Sequence, residues 1–504
     1  MKKMTHLKSA TLDSIEAIVV DIEATFTTGM PSFSIVGRGN LEIQESKDRV
    51  KSSLLMNEFK FPPKKITINL SPSEVIKKGS HLDASIALLI ALHDKNVNFE
   101  DFFVFGELGL DGSLKDTSSI FLLILSLAKH GKIKNVLIPK ESIEKISMIP
   151  NITIFAVENL AEAIEFFTTK DEETKSKYTI ENRSYLYPSI CIDGVDYFYD
   201  KRYNLDFRDV KGQKIAKRAA LISVAGNHNI LFEGSPGCGK SMITKRMRYT
   251  MPPMSLEEIL EKAKTEVLGG ADADFRPIRT FHSPHHTSTK GSILGGSKIG
   301  IISLSNNGAM FFDELPHFSK DIIEALREPL EDHVILVSRV NTKVKYDAKF
   351  LFIGAMNPCP CGNLLSKTKE CRCNELEINR YKNRLSDPFL DRIDLIVTMG
   401  EVNSEDKGDI DSETIHSLVL EAFVRQKQRG QKELNGKLSE LDIEKYCILD
   451  DQLQTILDRA IAQFSLSFRA INKVLKVART IADIEKSDHI KKEHLFEALS
   501  YRRR

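Results

Sequence analysis

Residues 229 to 250 read NILFEGSPGCGKSMITKRMRYT: an apolar run, a glycine-rich turn closed by Gly239, Lys240 and Ser241, then a helix-compatible run. Few features restrict a fold as tightly. A loop of this kind needs a strand to deliver it and a helix whose N-terminus receives a phosphate, so a parallel α/β sheet is predicted around it. Gly234, Gly237 and Gly239 let backbone N–H groups wrap the phosphate, Lys240 reaches the β- and γ-phosphates, and the Ser241 hydroxyl holds magnesium. The predicted cofactors are therefore ATP and magnesium.

About seventy residues on, GAMFFDEL drives an apolar strand into Asp313 and Glu314, placing two carboxylates at its C-terminal end. Asp313 is expected to help hold the magnesium and Glu314 to polarise the attacking water. An isolated Asp-Glu pair is more often a helix N-cap; the phosphate loop upstream favours the catalytic reading. A third apolar run, KFLFIGAMN, ends at Asn357, where an amide can hold the same water in line with the γ-phosphate. Downstream, RLSDPFLDRIDL offers Arg384 and Arg392, and SFRAINKVLKVART offers Arg469. Arginines neutralise charge on a transferring phosphoryl group, often from a neighbouring subunit. As lone residues they more often form surface ion pairs.

At 504 residues the chain is too long for one ordinary core, so two or three domains are expected. Residues 1–170 alternate strands and amphipathic helices, as in KKITINLSPS, HLDASIALLIALHDK and KIKNVLIP. The charged stretch TTKDEETKSKYTIENRS marks a linker, taken over 171–203. An ATPase core follows over 204–400, and 401–504 reads as helical with no convincing strand. The net charge of +1 provides no general attraction for a polyanion. No signal peptide and no run of ~20 apolar residues is found, which predicts a cytoplasmic protein that does not enter a membrane.

Four of the seven cysteines fall within NPCPCGNLLSKTKECRCN, an insertion at 358–374 directly behind Asn357. Cys359, Cys361, Cys371 and Cys373 supply four soft ligands from two short loops, which suits a tetrahedral structural zinc. Free thiols and a redox disulfide pair are the alternatives, the latter disfavoured in a reducing compartment.

The segments DVKGQKIAKRAALISVAGNHNILFEGSPGCGKSM, RPIRTFHSPHHTS, FFDELPHF, LREPLED, GAMNPCPCG, RLSDPFLDRIDL and ARTIADIE together resemble the ComM/YifB family of magnesium-chelatase-like AAA+ ATPases, over essentially the whole chain. The resemblance implies a multidomain α/β protein: an N-terminal Lon-protease-like α/β domain, an AAA+ parallel-sheet ATPase core and a C-terminal helical lid. By that resemblance Asn357 is the sensor-1 residue, Arg392 the arginine finger and Arg469 the sensor-2 arginine. It further implies a homo-hexameric ring with ATP sites between subunits, acting on single-stranded or branched DNA as a bacterial helicase that drives branch migration in recombination during natural transformation.

Two departures stand out. SKIGIISLSNNGAM replaces the Pro-Gly-Glu and His usual in the family, which puts the element leading to the ring pore in question. Cys238 stands where Thr is usual, which predicts a phosphate loop sensitive to thiol reagents.

The N-terminal region, with FGELGLDGSLKD and KNVLIPKE, is similar to the proteolytic domain of Lon proteases, which uses a Ser-Lys dyad. Asp83 falls where the nucleophilic serine would lie and Phe121 near the lysine, although Ser80, Ser85, Lys77 and Lys78 are close in sequence. Proteolysis is expected to be lost. For DNA, six copies of a short basic loop could neutralise phosphates at a pore. The candidate segment, RPIRTFHSPHHTSTKGSILGGSK, carries Arg276, Arg279, His285, His286, Lys290 and Lys298, of which Lys290 and Lys298, among glycines, are the chosen DNA contacts. Two rivals to a DNA motor are a chelatase-like ATPase that remodels a partner protein and an ATP-dependent protease.

Overall fold

A computed structural model describes residues 5–59, 61–296, 298–338, 343–402, 405–464 and 466–502. The chain divides into two compact units, residues 1–186 with 270–273, and 187–269 with 274–504.

In the first unit an eight-stranded mixed sheet runs in the order Thr179–Ile180, Thr153–Val157, Asn135–Pro139, Phe102–Val104, Thr5–Asp13, Glu16–Thr27, Lys65–Ser71, Ser32–Val36. Strand Lys65–Ser71 shows how sequence sets its face: Ile66, Ile68 and Leu70 alternate with polar residues and are fully buried. Helix Asp83–Ala91 is buried along nearly its whole length, which is why its residues are apolar on every side.

The predicted linker over 171–203 is structured throughout much of its length. Thr179–Ile180 pairs antiparallel with Thr153–Val157, and the buried Tyr178 donates its hydroxyl to Glu165 at 2.7 Å. The buried Tyr178, whose carbonyl accepts the Ala156 N–H at 2.9 Å, and the pairing of Ile180 with Ile154 fix this edge despite the surrounding charge. Strands Ser189–Ile192 and Val195–Phe198 join Met254–Ser255 in a three-stranded sheet of the second unit. The long stretch of the first unit thus ends at residue 186, and the second unit begins at Tyr187.

The second unit is built on a five-stranded parallel sheet of β1 (Ile230–Gly234), β2 (Phe281–His282), β3 (Ala309–Phe312), β4 (Leu351–Met356) and β5 (Leu395–Met399), in the order β2-β3-β4-β1-β5. Every neighbouring pair is parallel. β3 and β4 are buried at every residue, the pattern of strands covered on both faces. Around the sheet lie α1 (Lys214–Gly226), α2 (Lys240–Met247), α3 (Lys290–Leu294), α4 (Arg327–Asp332), α5 (Glu375–Lys382), α6 (Ser412–Gln428) and α7 (Phe468–Ile484).

The expected division at residue 400 does not separate two cores. One hydrophobic cluster joins Ile230, Phe311 and Ile353 of the sheet to Val419, Val474 and Ile481 of α6 and α7. A buried polar seam adds to it: Lys473 of α7 donates to Asp394 at 2.6 Å, and Asp394 accepts the Asn229 N–H at 2.7 Å. Burial acts to raise the Asp394 carboxyl, but Lys473 and His228 win and hold it at about 2. No described helix is long and apolar enough to cross a membrane.

Candidate ATP site and cysteine cluster

β3, β4 and β1 are adjacent and parallel, so the residues that follow their C-terminal ends converge in space although they are far apart in sequence. After β1 the chain enters the phosphate loop. Gly237 (φ 81°) and Gly239 (φ 99°) adopt left-handed backbone that side-chain-bearing residues resist, and nothing lies within 4 Å of a Cβ built on either. That open side is where backbone N–H groups can face a phosphate at the start of α2.

Lys240 is buried at the beginning of α2. Its ammonium donates to the Gly234 carbonyl at 2.5 Å, the Ser235 carbonyl at 3.1 Å and Asn357 Oδ1 at 3.2 Å. Burial lowers its pKa. An ammonium held by three neutral acceptors is prepared to exchange them for phosphate oxygens. Ser241 Oγ donates to Asp313 Oδ2 at 3.0 Å, joining the two groups predicted to hold magnesium. No ion is needed to bring them together, and a hydroxyl beside a carboxylate is an oxygen donor set that suits this cation.

Glu314 follows immediately, at φ 49°, with its N–H donating to Asp313 Oδ1 at 3.0 Å. A left-handed non-glycine residue at this point turns the chain sharply out of β3 and separates the directions of the two carboxylates. His286 Nδ1 lies 4.0 Å from Glu314 Oε2. Tyr381 of α5 is also near: burial pushes its phenol to about 12, with Asn357 and Glu314 among the neighbouring groups, so it remains a proton donor.

Arg392 and Arg469 lie elsewhere. Asn229, the residue before β1, donates its amide to the Arg392 carbonyl at 3.0 Å, which places Arg392 at the N-terminal end of the sheet. Its side chain is only 12 % exposed, with the guanidinium donating to the carbonyls of Arg327 and Pro388 and to Glu331. Arg469 is 59 % exposed and binds the other oxygen of Glu331 at 2.6 Å. The structure therefore brings Lys240, Ser241, Asp313, Glu314 and Asn357 together, and sets both arginines at the opposite end of the strands. Arg384 donates to the Pro316 carbonyl at 2.9 Å, in the turn that follows Glu314.

The expected sensitivity of the phosphate loop to thiol reagents is not supported. Cys238 is buried, and burial pushes its thiol pKa up, so the group is both shielded and protonated.

The cysteine cluster is assembled. The Sγ atoms of Cys359, Cys361, Cys371 and Cys373 all lie within 4.8 Å of one another, with Cys359 3.4 Å from Cys361 and 3.7 Å from Cys371. Zinc–sulfur bonds of about 2.3 Å in a tetrahedron require sulfur–sulfur edges of about 3.8 Å, so the donor set fits this metal. Backbone N–H groups of Asn363 and Arg372 hold the Cys361 thiol down to about 6, favouring the thiolate that a metal binds. No disulfide links these cysteines. The cluster also touches the ATP site. A Cβ on Gly362 would come within 2.6 Å of the Pro236 ring in the phosphate loop.

The basic segment separates into three kinds of residue. Arg279 is buried, donating to the Pro252 carbonyl at 2.9 Å and pairing with Glu258 at 3.0 Å. Arg276 forks onto Asp274 at 2.8 Å, the acidic residue just upstream of the quoted stretch. Neither is free to meet DNA, and His286 faces Glu314. Lys290 and Lys298 are exposed.

In the first unit, Asp83 is fully buried and takes a two-pronged hydrogen bond from Arg49, at 2.6 and 3.3 Å. Burial raises its carboxyl pKa while Arg49 opposes that rise. Ser85 donates to the Val104 carbonyl at 2.9 Å, Ser80 to Glu107, and Lys77 to the Pro72 carbonyl. Phe121 is buried in the core. Among the described residues neither serine hydrogen-bonds to Lys77 or Lys78.

His286, Tyr381 and Glu331 were not assigned to the ATP site from the sequence. His286 falls inside RPIRTFHSPHHTS and Glu331 inside LREPLED, but neither motif tells which groups the side chain meets; Tyr381 carries no local pattern.

The sequence family of magnesium chelatase subunit ChlI matches residues 206–407, a second ChlI family description matches 22–142, and the ChlI C-terminal family matches 409–502. The chain is 35 % identical to YifB of Salmonella typhimurium over 99 % of its own length and 96 % of that protein. It is 33 % identical to the competence protein ComM of Haemophilus influenzae, over 97 % and 95 %. With YifB of Escherichia coli it shares 34 % identity over 99 % and 96 %. The chain belongs to the ComM/YifB family of magnesium-chelatase-like proteins.

Proposed function

We propose that the chain is an ATP-driven ring motor, a homo-hexamer that acts on single-stranded or branched DNA as a ComM-like helicase in recombination and natural transformation. The observation that carries this reading is the separation of the two halves of the ATP site. Lys240, Ser241, Asp313, Glu314 and Asn357 gather at the C-terminal ends of the strands, while Arg392 and Arg469 gather at the N-terminal end. Five residues of β1 lie between, a span of about 16 Å at the usual rise per residue. Each subunit's arginines then serve a neighbour's nucleotide, and a closed ring completes every site.

In this mechanism ATP bound with magnesium supplies the γ-phosphoryl group. Lys240 exchanges the Gly234 and Ser235 carbonyls for phosphate oxygens, and Ser241 with Asp313 holds the magnesium. Asn357 orients the water and Glu314 polarises it. The neighbour's Arg392 and Arg469 offset the charge that develops on the phosphoryl group. Each guanidinium nitrogen of Arg392 donates within the subunit, to the carbonyls of Arg327 and Pro388 and to Glu331, and Arg469 is the more exposed of the two.

Cys359, Cys361, Cys371 and Cys373 would hold a zinc, which would brace the polar loop behind Asn357. The first unit is a Lon-like domain without protease activity, since Asp83 is committed to Arg49. Lys290 and Lys298 are the DNA contacts facing the pore.

A second reading, a chelatase-like ATPase that remodels a partner protein, draws on the chelatase family matches over most of the chain. ATPase rates with and without single-stranded DNA, run beside a casein degradation assay, separate the readings. Stimulation by DNA with intact casein supports the motor. Indifference to DNA gives the remodeller the lead, and casein cleavage reinstates the protease.

A further inference from the structure

Asp313 and Glu314 are neighbours in sequence with different freedom. Asp313 accepts hydrogen bonds from Ser241 and from the backbone of residue 314. Glu314 is 55 % exposed, and the side chain facing its carboxylate is His286, with Nδ1 4.0 Å from Oε2. An exposed glutamate samples several rotamers, whereas polarising a water in line with a phosphoryl group requires one.

His286 is itself well placed to fix that rotamer. Its ring packs against that of His285, tilted by 34° with centroids 4.1 Å apart, and His285 Nδ1 bonds the Thr287 hydroxyl at 2.8 Å. His317, whose backbone N–H donates to the Glu314 carbonyl at 2.8 Å, has its ring centroid 6.2 Å from that of His286. Two imidazoles from separate segments thus flank Glu314, and only His286 presents a ring nitrogen within ion-pair reach. Closing from 4.0 Å to hydrogen-bond length takes about 1 Å of movement, within a side-chain adjustment.

We propose that His286 is a positioning residue for ATP hydrolysis, its Nδ1–H closing on Glu314 to hold the carboxylate in the rotamer that polarises the attacking water. The role rests on the reading of Glu314 as the water-activating group. It uses a proton on Nδ1, transfers none, and asks nothing of Nε2. It also gives the segment between β2 and α3 a hand in turnover, because His286 and Lys290 are four residues apart.

The test compares His286→Ala, His286→Asn and His286→Gln in the full chain. The asparagine amide reproduces the place of Nδ1 and the glutamine amide that of Nε2. His286→Ala should lower kcat about tenfold with KM for ATP within about twofold of the parent. His286→Asn should recover most of the rate and His286→Gln little of it. Parental kcat in His286→Ala, or equal rates for the Asn and Gln variants, overturns the proposal. If the alanine variant melts early, the Asn and Gln pair decides the matter alone. Glu314→Gln turning over at the parental rate overturns the water-activation reading itself; Glu314→Gln inactive beside a fully active His286→Ala overturns the positioning role only.

Discussion

Arg392 and Arg469 meet on a single carboxylate: Glu331 gives one oxygen to each. One arginine comes from the loop before β5 and the other from α7, so Glu331 sets the spacing of two cations that belong to different parts of the unit. Two guanidiniums that share a carboxylate are spaced to share a phosphate.

Arg392→Ala and Arg469→Ala should each retain ATP binding and lower hydrolysis by about a hundredfold or more. Mixing either variant with Lys240→Ala subunits should restore part of the activity, because one defect lies on each side of a shared site. Glu331→Ala should cost less, about tenfold, since the charges remain and only their alignment is lost. A steady-state ATPase assay across mixing ratios reads all three, and no recovery at any ratio would exclude action between subunits.

Lys240→Ala should abolish nucleotide binding, whereas Glu314→Gln should bind ATP and hold it unhydrolysed. The first removes the cation that faces the phosphates and the second removes only water activation. Fluorescent-nucleotide binding beside phosphate release distinguishes the two losses.

Purified protein should carry about one zinc per chain by elemental analysis, and the double variant Cys371→Ser, Cys373→Ser should lose it together with thermal stability. Retained zinc, or unchanged melting without it, would argue against a structural metal.

Lys290→Glu with Lys298→Glu should weaken single-stranded DNA binding, flatten its salt dependence and reduce DNA-stimulated ATPase while basal hydrolysis is kept. A parental salt slope in the double variant would move the contact elsewhere.

Asp394→Asn should loosen the attachment of α7 to the sheet, destabilising the second unit on the order of 3 kcal/mol by leaving Lys473 without its buried partner. The Asp394 carboxyl titrates at about 2, below its unfolded value, so its stabilising effect is full above the ordinary carboxylate range and fades only as pH falls toward 2. Denaturation midpoints of the parent and Asp394→Asn should therefore differ by the same amount at pH 6 and pH 8, within about a few tenths of a kcal/mol.

The ATP site was legible because its parts are local: a glycine turn, an Asp-Glu at a strand end, an Asn at another, each announced by an apolar run. The sheet order that gathers them is a tertiary fact that none of those runs states by itself. The basic segment does not say which of its cations is buried; for Arg279 only the carbonyls of Pro252, Pro253 and Asn307, from two other segments, decide that. The linker was misplaced for a related reason, since edge strands need few apolar residues. Glu331 lies in the LREPLED segment, but its role is not legible there, because it depends on two partners 61 and 138 positions away, the numbering differences to Arg392 and Arg469.

Gly362 has a consequence for genetics. With φ 79° and the Pro236 ring where a side chain would go, the position admits no other residue without moving the phosphate loop. A screen for inactive alleles should return substitutions at Gly362 alongside those at Lys240, and their phenotype would be mistaken for damage to a nucleotide contact that Gly362 never makes.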